Sequence, residues 1–152
     1  MSDNSGILSI VVESNGTWIE IINSNAPSGR DAAKYLASHK SHRNTIMASD
    51  FNSHHAMWYA DKASDYVNSI RNSKTVATSL VTWATKHILI LQNDPATLTH
   101  FAHSSQHQSI LDVTFSSGYS TTITEAWSCD PGSGGNSNHA MTIPSINIFL
   151  PS

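Results

Sequence analysis

The chain is poor in cysteine, in charge and in long apolar runs. Its 152 residues contain one cysteine, Cys129, so an internal disulfide framework is excluded and a reducing compartment is the simpler setting. Charged residues make up only 12% of the chain, with 8 Lys and Arg against 11 Asp and Glu, a formal net charge of −3. No basic stripe is visible; "HKSHR" at 39–43 comes nearest, but it is short and two of its five residues are histidine. Strong sequence-independent binding to nucleic acid through phosphate neutralisation is therefore not expected of this chain alone. The N-terminus lacks a basic segment followed by an apolar run of signal-peptide length, and no run approaches membrane-spanning length. These features point to an intracellular protein, cytoplasmic or nuclear, with no membrane partner.

What is present suits one domain. Hydrophobic residues account for 39% of the chain, enough for a core, while Ser, Thr, Asn and His carry much of the polarity. Residues 1–6 are expected to be disordered and 7–152 to form a single unit without internal repeats. "ILSIVVESNGTWIEIIN" has two β-rich runs, Ile7 to Val12 and Thr17 to Ile22, around Asn15-Gly16. Asn-Gly accepts positive φ at both central positions of a tight turn, so a hairpin is predicted.

Ser28 or Asp31 is placed to cap a short helix through Ala32, Ala33, Tyr35 and Leu36. "NTIMASDFN" reads as a buried strand ending near Asp50. From Ser73 the apolar spacing turns helical, with Val76, Leu80, Trp83, Ala84 and His87 at steps of three and four, and Leu80 and Trp83 are assigned to the core. Strands are predicted at 88–91, at 109–115 with Asp112 in the middle, at 121–127 and in the tail after His139. Residues 92–108 read as loop.

Three polar islands stand at or inside these strands: Asp50-Phe51-Asn52, Asp112 and Asn138-His139. Side chains two apart on a strand share a face, so Asp50 and Asn52 are expected on one side. An acid inside an apolar strand is costly to bury unless paired, and a distant histidine is its natural partner. Each island alone has a bland reading, as a turn, an edge-strand acid or a surface histidine. His100, His103 and His107 are spaced as metal ligands on a helix would be, but Pro95 and the threonines argue for loop and no acid or cysteine completes a set. Zinc is accordingly disfavoured. Cys129 has no activating neighbours in sequence and is expected to be inert.

In order along the chain, "IINSNAPS", "SDFNSHHAMW", "LILQNDPATLTHF", "SILDVTF" and "SNHAMTI" resemble the motif series of the endonuclease/exonuclease/phosphatase superfamily. The likeness is greatest to the endonuclease domain of non-LTR retrotransposon reverse transcriptase polyproteins. It runs from about Ile7 to the C-terminus. The resemblance implies an α/β fold, a four-layered sandwich of two packed mixed sheets with helices outside, and hydrolysis of DNA phosphodiester bonds with Mg²⁺ or Mn²⁺. Carried over by position, Asp50 resembles the acid that orients or activates the attacking water, and also a possible metal ligand. Asn52 resembles the amide that fixes the scissile phosphate, Asp112 the carboxylate that holds the histidine, and His139 that histidine. His54 and His55 occupy family-like positions at the site entrance, where they could contact substrate.

The departures weigh against full activity. The family's N-terminal portion, with an early Asn and the metal-binding Glu, has no counterpart before Ile7, and Glu13 and Glu20 belong to the hairpin. The sandwich is thus expected to be incomplete at its N-terminus. Asn138 stands where the family has an aspartate, leaving a neutral, weak ligand for a hard cation. Asn25 replaces a tyrosine and Ser49 a glycine. Two functions follow as expectations. One is a metal-dependent endonuclease, impaired or inactive in this chain. The other is a non-catalytic, truncated transposon-derived domain, decaying or recruited as an interaction protein. Exposed strand edges would favour pairing with the missing N-terminal half or another protein.

Overall fold

The computed structural model describes residues 7–14, 16–24, 35–42, 44–58, 67–101, 108–117, 124–130 and 137–146. The hairpin forms as its sequence predicts: β1 (Ile7–Ser14) pairs antiparallel with β2 (Thr17–Ser24), and Gly16 turns the chain at a φ of 76°. β2 then pairs in parallel with β3 (Thr45–Asp50). β3 pairs antiparallel with β7 (Asp112–Ser117), and β4 (Leu89–Leu91) closes the other edge. The result is a mixed five-stranded sheet in the order β1-β2-β3-β7-β4. Two short pairs stand apart from it: β5 (His100–Phe101) with β6 (Gln108–Ser109), and β8 (Thr124–Asp130) with β9 (Met141–Ile146).

Period-two alternation assigns the faces. Ile22, Met47, Phe115 and Leu91 are successive cross-strand partners and form one row. Against it packs helix α1 (Val67–Lys86) through Ala77, Leu80, Trp83 and Ala84, all buried in the same core as Trp58. Each large apolar side chain in this core is worth about 1.5–3 kcal/mol of burial. The helix begins six residues before the predicted Ser73 and stops where Ile88 adopts a φ of 57°. That left-handed position breaks the helix ladder, so Ile88 belongs to the turn and not to the predicted strand. Lys86 in the last turn suits the negative end of the helix dipole. The predicted helix from Ala32 is seen as a helical turn over 35–38, its proposed caps lying outside the described residues.

The opposite face carries Ile21, Ile46, Ser116 and Ile90 as one row and ends at the facing pair Asp50 and Asp112. The Trp127 indole N–H donates to Thr114 Oγ1 at 3.3 Å, which places the β8–β9 pair over this face. Leu8, Ile10 and Val12 of the edge strand β1 continue the apolar stripe into solvent. Described residues therefore supply one mixed sheet, a helix on one side and a two-stranded pair on the other.

Away from the strand ends, a second polar network pins β2. Glu20 is almost fully buried and its carboxylate accepts from Ser9 Oγ (2.9 Å), the His42 N–H (3.1 Å) and Thr45 Oγ1 (3.2 Å). His39 Nε2 lies 2.8 Å from the same carboxylate, out of line for a hydrogen bond, so its contribution is Coulombic. Burial pushes the Glu20 pKa up, but the His42 N–H, Ser9, His39 and Thr45 together outweigh it and hold it below the ordinary value. The His39 ring stacks on Tyr35 at 5.0 Å and tilts toward Trp83. No described helix is long and apolar enough to cross a membrane.

Candidate functional site

Asp50 ends β3 and Asp112 begins β7, and the antiparallel register sets them directly opposite one another. Two like charges this close are unfavourable unless a cation or a donor stands between them. His139 supplies the donor: its Nδ1 lies 2.9 Å from Asp112 Oδ2, and its Nε2 lies 3.7 Å from Asp50 Oδ2. One ligand atom from each of the three lies within 4.8 Å of the others. A carboxylate at Nδ1 favours the proton on that nitrogen and leaves Nε2 on the side of Asp50.

Asn52 reaches the same point by a route other than strand alternation. The strand stops at Asp50, and Asn52 takes a left-handed φ of 46°, which asparagine tolerates better than most residues. That turn brings the Asn52 N–H to Asp50 Oδ1 at 2.9 Å and its side-chain amide to Asp50 Oδ2 at 3.2 Å. Shared sidedness through period two is thus corrected: a turn around the carboxylate brings the pair together. Burial raises the Asp50 pKa, the Asn52 N–H opposes it, Asp112 raises it further, and His139 and His100 lower it; the balance lies above the ordinary value.

Asp112 is likewise at a strand start and not mid-strand as predicted, because the chain kinks before it. The buried Thr99 hydroxyl accepts the N–H groups of both Leu111 (3.1 Å) and Asp112 (3.0 Å). The Thr99 carbonyl accepts from Ala140 N–H at 2.8 Å, and Phe101 N–H donates to the Asn138 carbonyl at 2.7 Å. One threonine therefore ties the strand start bearing Asp112 to the segment bearing His139. Asn93 steadies the same strand after β4 has ended: its amide donates to the Asp112 carbonyl at 2.8 Å and accepts from Thr114 N–H at 2.7 Å.

Segment 92–108, read as loop, contains the two-residue strand β5 and the first residue of β6. His100 sits in β5, bridged across to His139, with ring centroids 4.8 Å apart at 63°. His103 and His107 lie outside the described residues. Burial lowers the His100 pKa and His139 lowers it further, against the pull of Asp112 and Asp50. His54 is electrostatically coupled to His100, its pKa lowered first by burial and then by that neighbour. His55 turns elsewhere, its ring over Trp58 at 5.3 Å and its Nδ1 accepting from Met57 N–H at 3.1 Å. Asn138 adjoins His139, with its carbonyl engaged by Phe101. Ser49 is buried with its hydroxyl donated to the Ser24 carbonyl, a role the family's glycine could not fill. Asn25 lies outside the described residues. The Cys129 thiol donates to the Leu98 carbonyl at 3.4 Å; burial, then Asp112 and Asp130, push its pKa up, which agrees with an unreactive thiol.

The sequence islands at Asp50, Asn52, Asp112 and His139 thus converge, and His100, Thr99 and Asn93 join them. Sequence reasoning missed the last three as site residues, although "NDPATLTHF" lay inside the motif series.

A mixed sheet ending in this Asp-Asp-His group has the fold of the endonuclease/exonuclease/phosphatase class. The structure is similar to the endonuclease domain of TRAS1, a telomere-specific non-LTR retrotransposon, with a TM-score of 0.65 and 17% identity over 97% of this chain. It is also similar to an endonuclease/exonuclease/phosphatase family protein from Leptotrichia buccalis C-1013-b, with a TM-score of 0.58 and 14% identity over 93% of this chain. The chain spans 65% and 54% of the lengths of those two proteins. No curated protein matches the sequence significantly. Residues 21–143 match the endonuclease-reverse transcriptase family, and the chain belongs to that family.

Proposed function

We propose that this domain hydrolyses phosphodiester bonds in DNA with a divalent cation, Mg²⁺ or Mn²⁺, as a retrotransposon-type endonuclease of reduced activity. The observation that carries the reading is the convergence of Asp50, Asp112 and His139 from three distant points of the chain onto one spot within 4.8 Å. Two carboxylates beside one imidazole are a donor set suited to a divalent ion, and such an ion would relieve the facing charges. When bound, it supplies neutralisation of charge developing on the phosphate.

The protein groups divide the remaining work. Asp50, its pKa raised by burial and by Asp112, is the proton acceptor for the attacking water. Asn52, held in its turn against Asp50, orients toward a phosphate oxygen. Asp112 holds His139 at Nδ1, so that Nε2 faces the reacting group. His54 is a candidate substrate contact through its place beside His100. Asn138 is a weak cation ligand: neutral where the family has an acid, it reduces affinity for a hard ion and slows turnover. A DNA substrate places this work inside the cell, in the cytoplasm or nucleus.

The test is relaxation of supercoiled plasmid in Mg²⁺ or Mn²⁺. Nicking should be abolished by chelator and by His139→Ala, with the near-UV circular dichroism of the variant unchanged. A second reading, a non-catalytic interaction domain, is favoured by Asn138 and by the scarcity of Lys and Arg. It prevails if neither the wild-type chain nor Asn138→Asp nicks DNA while both are folded.

A further inference from the structure

We propose that His100 is a positioning residue: its imidazole wedges against the His139 ring and keeps that ring aligned with Asp112. The assignment rests on the hydrolysis reading above for its purpose, but on independent geometry for its existence.

His139 needs such a support. Its side chain makes one hydrogen bond to a described residue, Nδ1 to Asp112, and the 3.7 Å between Nε2 and Asp50 is too long for a second. One bond at one corner of a ring leaves tilting about that bond open, and the terminal torsion of histidine is broad. Ring packing removes this freedom where hydrogen bonding does not. The His100 ring meets His139 edge-on, at 4.8 Å and 63°, the geometry that aromatic pairs prefer over face-to-face stacking.

Both rings stand on backbones that are clamped together. The two residues face one another in an antiparallel bridge, and the flanking bonds from Phe101 N–H to Asn138 and from Ala140 N–H to Thr99 lock that register. On its far side His100 is steadied by β6: it pairs with Ser109, and Ser109 Oγ lies 3.3 Å from His100 Nδ1. Ser109 is itself buried, so the prop does not swing. The wedge is thus fixed on both sides.

The experiment compares wild type with His100→Ala and His100→Phe, which restores a ring without its nitrogens. Long-range ¹H–¹⁵N correlation spectra of the imidazoles are recorded on the metal-free proteins at one pH. Wild type and His100→Phe should show His139 as a single tautomer with a slowly exchanging Nδ1 proton; His100→Ala should show averaged tautomers. In plasmid nicking the alanine variant should lose roughly 10- to 100-fold in kcat with KM unchanged, and phenylalanine should recover most of it. If His100→Ala does not fold by near-UV circular dichroism, His100→Leu takes its place, giving bulk without a ring. Identical His139 signals in all variants overturn the proposal. So does a phenylalanine variant as disturbed as the alanine one, because the imidazole nitrogens and not the ring would then be at work. A wild-type chain without nicking activity overturns the hydrolysis reading alone, since the spectra judge ring alignment without it.

Discussion

Replacing Glu20 by glutamine should destabilise the domain by about 3–5 kcal/mol, the range for breaking a buried, paired charge. The structure shows why so small a change costs so much. Three hydrogen bonds converge on this carboxylate, from Ser9, His42 and Thr45, and His39 sits 2.8 Å from one of its oxygens. In glutamine one oxygen becomes an NH₂ group that confronts donors with donors. Two charge-assisted interactions are lost at that corner, each worth about 1.5–3 kcal/mol. Reorientation of the Ser9 and Thr45 hydroxyls recovers part of this, which keeps the total near the lower half of the summed range. Against a domain stability of about 5–15 kcal/mol the loss is large. Urea titration followed by tryptophan fluorescence is a direct assay, because Trp58 and Trp83 are buried in the core.

The pH dependence carries the sign. The Glu20 pKa is held below its ordinary 4.5, so its stabilisation is fully present above that pH and is lost as pH falls through the folded value. Wild type should therefore lose stability over that acid window, and Glu20→Gln should show a flatter profile there. A glutamine variant within about 1 kcal/mol of wild type at pH 7 would refute the reasoning, since no pin of three donors and a neighbouring imidazole could then be operating.

Three further outcomes are expected. Thr99→Val, which strands the N–H groups of Leu111 and Asp112, should cost about 1–3 kcal/mol in urea unfolding; a smaller loss would mean that another acceptor is at hand. Asp50→Asn should raise the thermal midpoint at neutral pH in metal-free buffer. The raised Asp50 pKa means that folding is favoured by its protonated form, a contribution present below the ordinary 3.8 and lost as pH rises through the folded value. The same substitution should make little difference at pH 3, and an equal effect at both pH values would count against this account. Asn138→Asp should tighten Mn²⁺ binding measured by calorimetry, on the order of tenfold for one added charge on a hard-cation site; unchanged affinity would separate Asn138 from the metal.

Much of the site was legible because its chemistry sits at strand ends. Asp50 and Asp112 follow short apolar runs, Ile46 to Ala48 and Ile110-Leu111, and the order of the motifs tied them to His139. The hairpin was equally legible, since Asn15-Gly16 fixes a turn by local backbone preference alone. What escaped was built from residues whose role depends on distant neighbours. Glu20 reads as an ordinary outward acid in a hairpin, and only the arrival of His42 and Thr45 shows that it points inward among donors. His100 lies in a two-residue strand too short to show any period, and Thr99 stands just before it. Asn52 was placed rightly beside Asp50 for the wrong reason, because a left-handed turn mimics the sidedness of a strand. Ile88 misled in the opposite sense, being β-branched yet placed where the helix terminates.

The Asp-Asp-His group joins positions 50, 112 and 139, and nothing local brings any two of them together. A chain that has formed only its hairpin and its helix holds no part of the site. Thr99 joins two of these points in space, since it anchors both the Asp112 backbone and the His139 segment. Such long-range closure is slow compared with hairpin or helix formation. The three-residue group is therefore assembled late in folding, after the local elements have formed. The same arrangement makes the group a sensitive reporter of topology: an error of threading or register leaves the two acids apart.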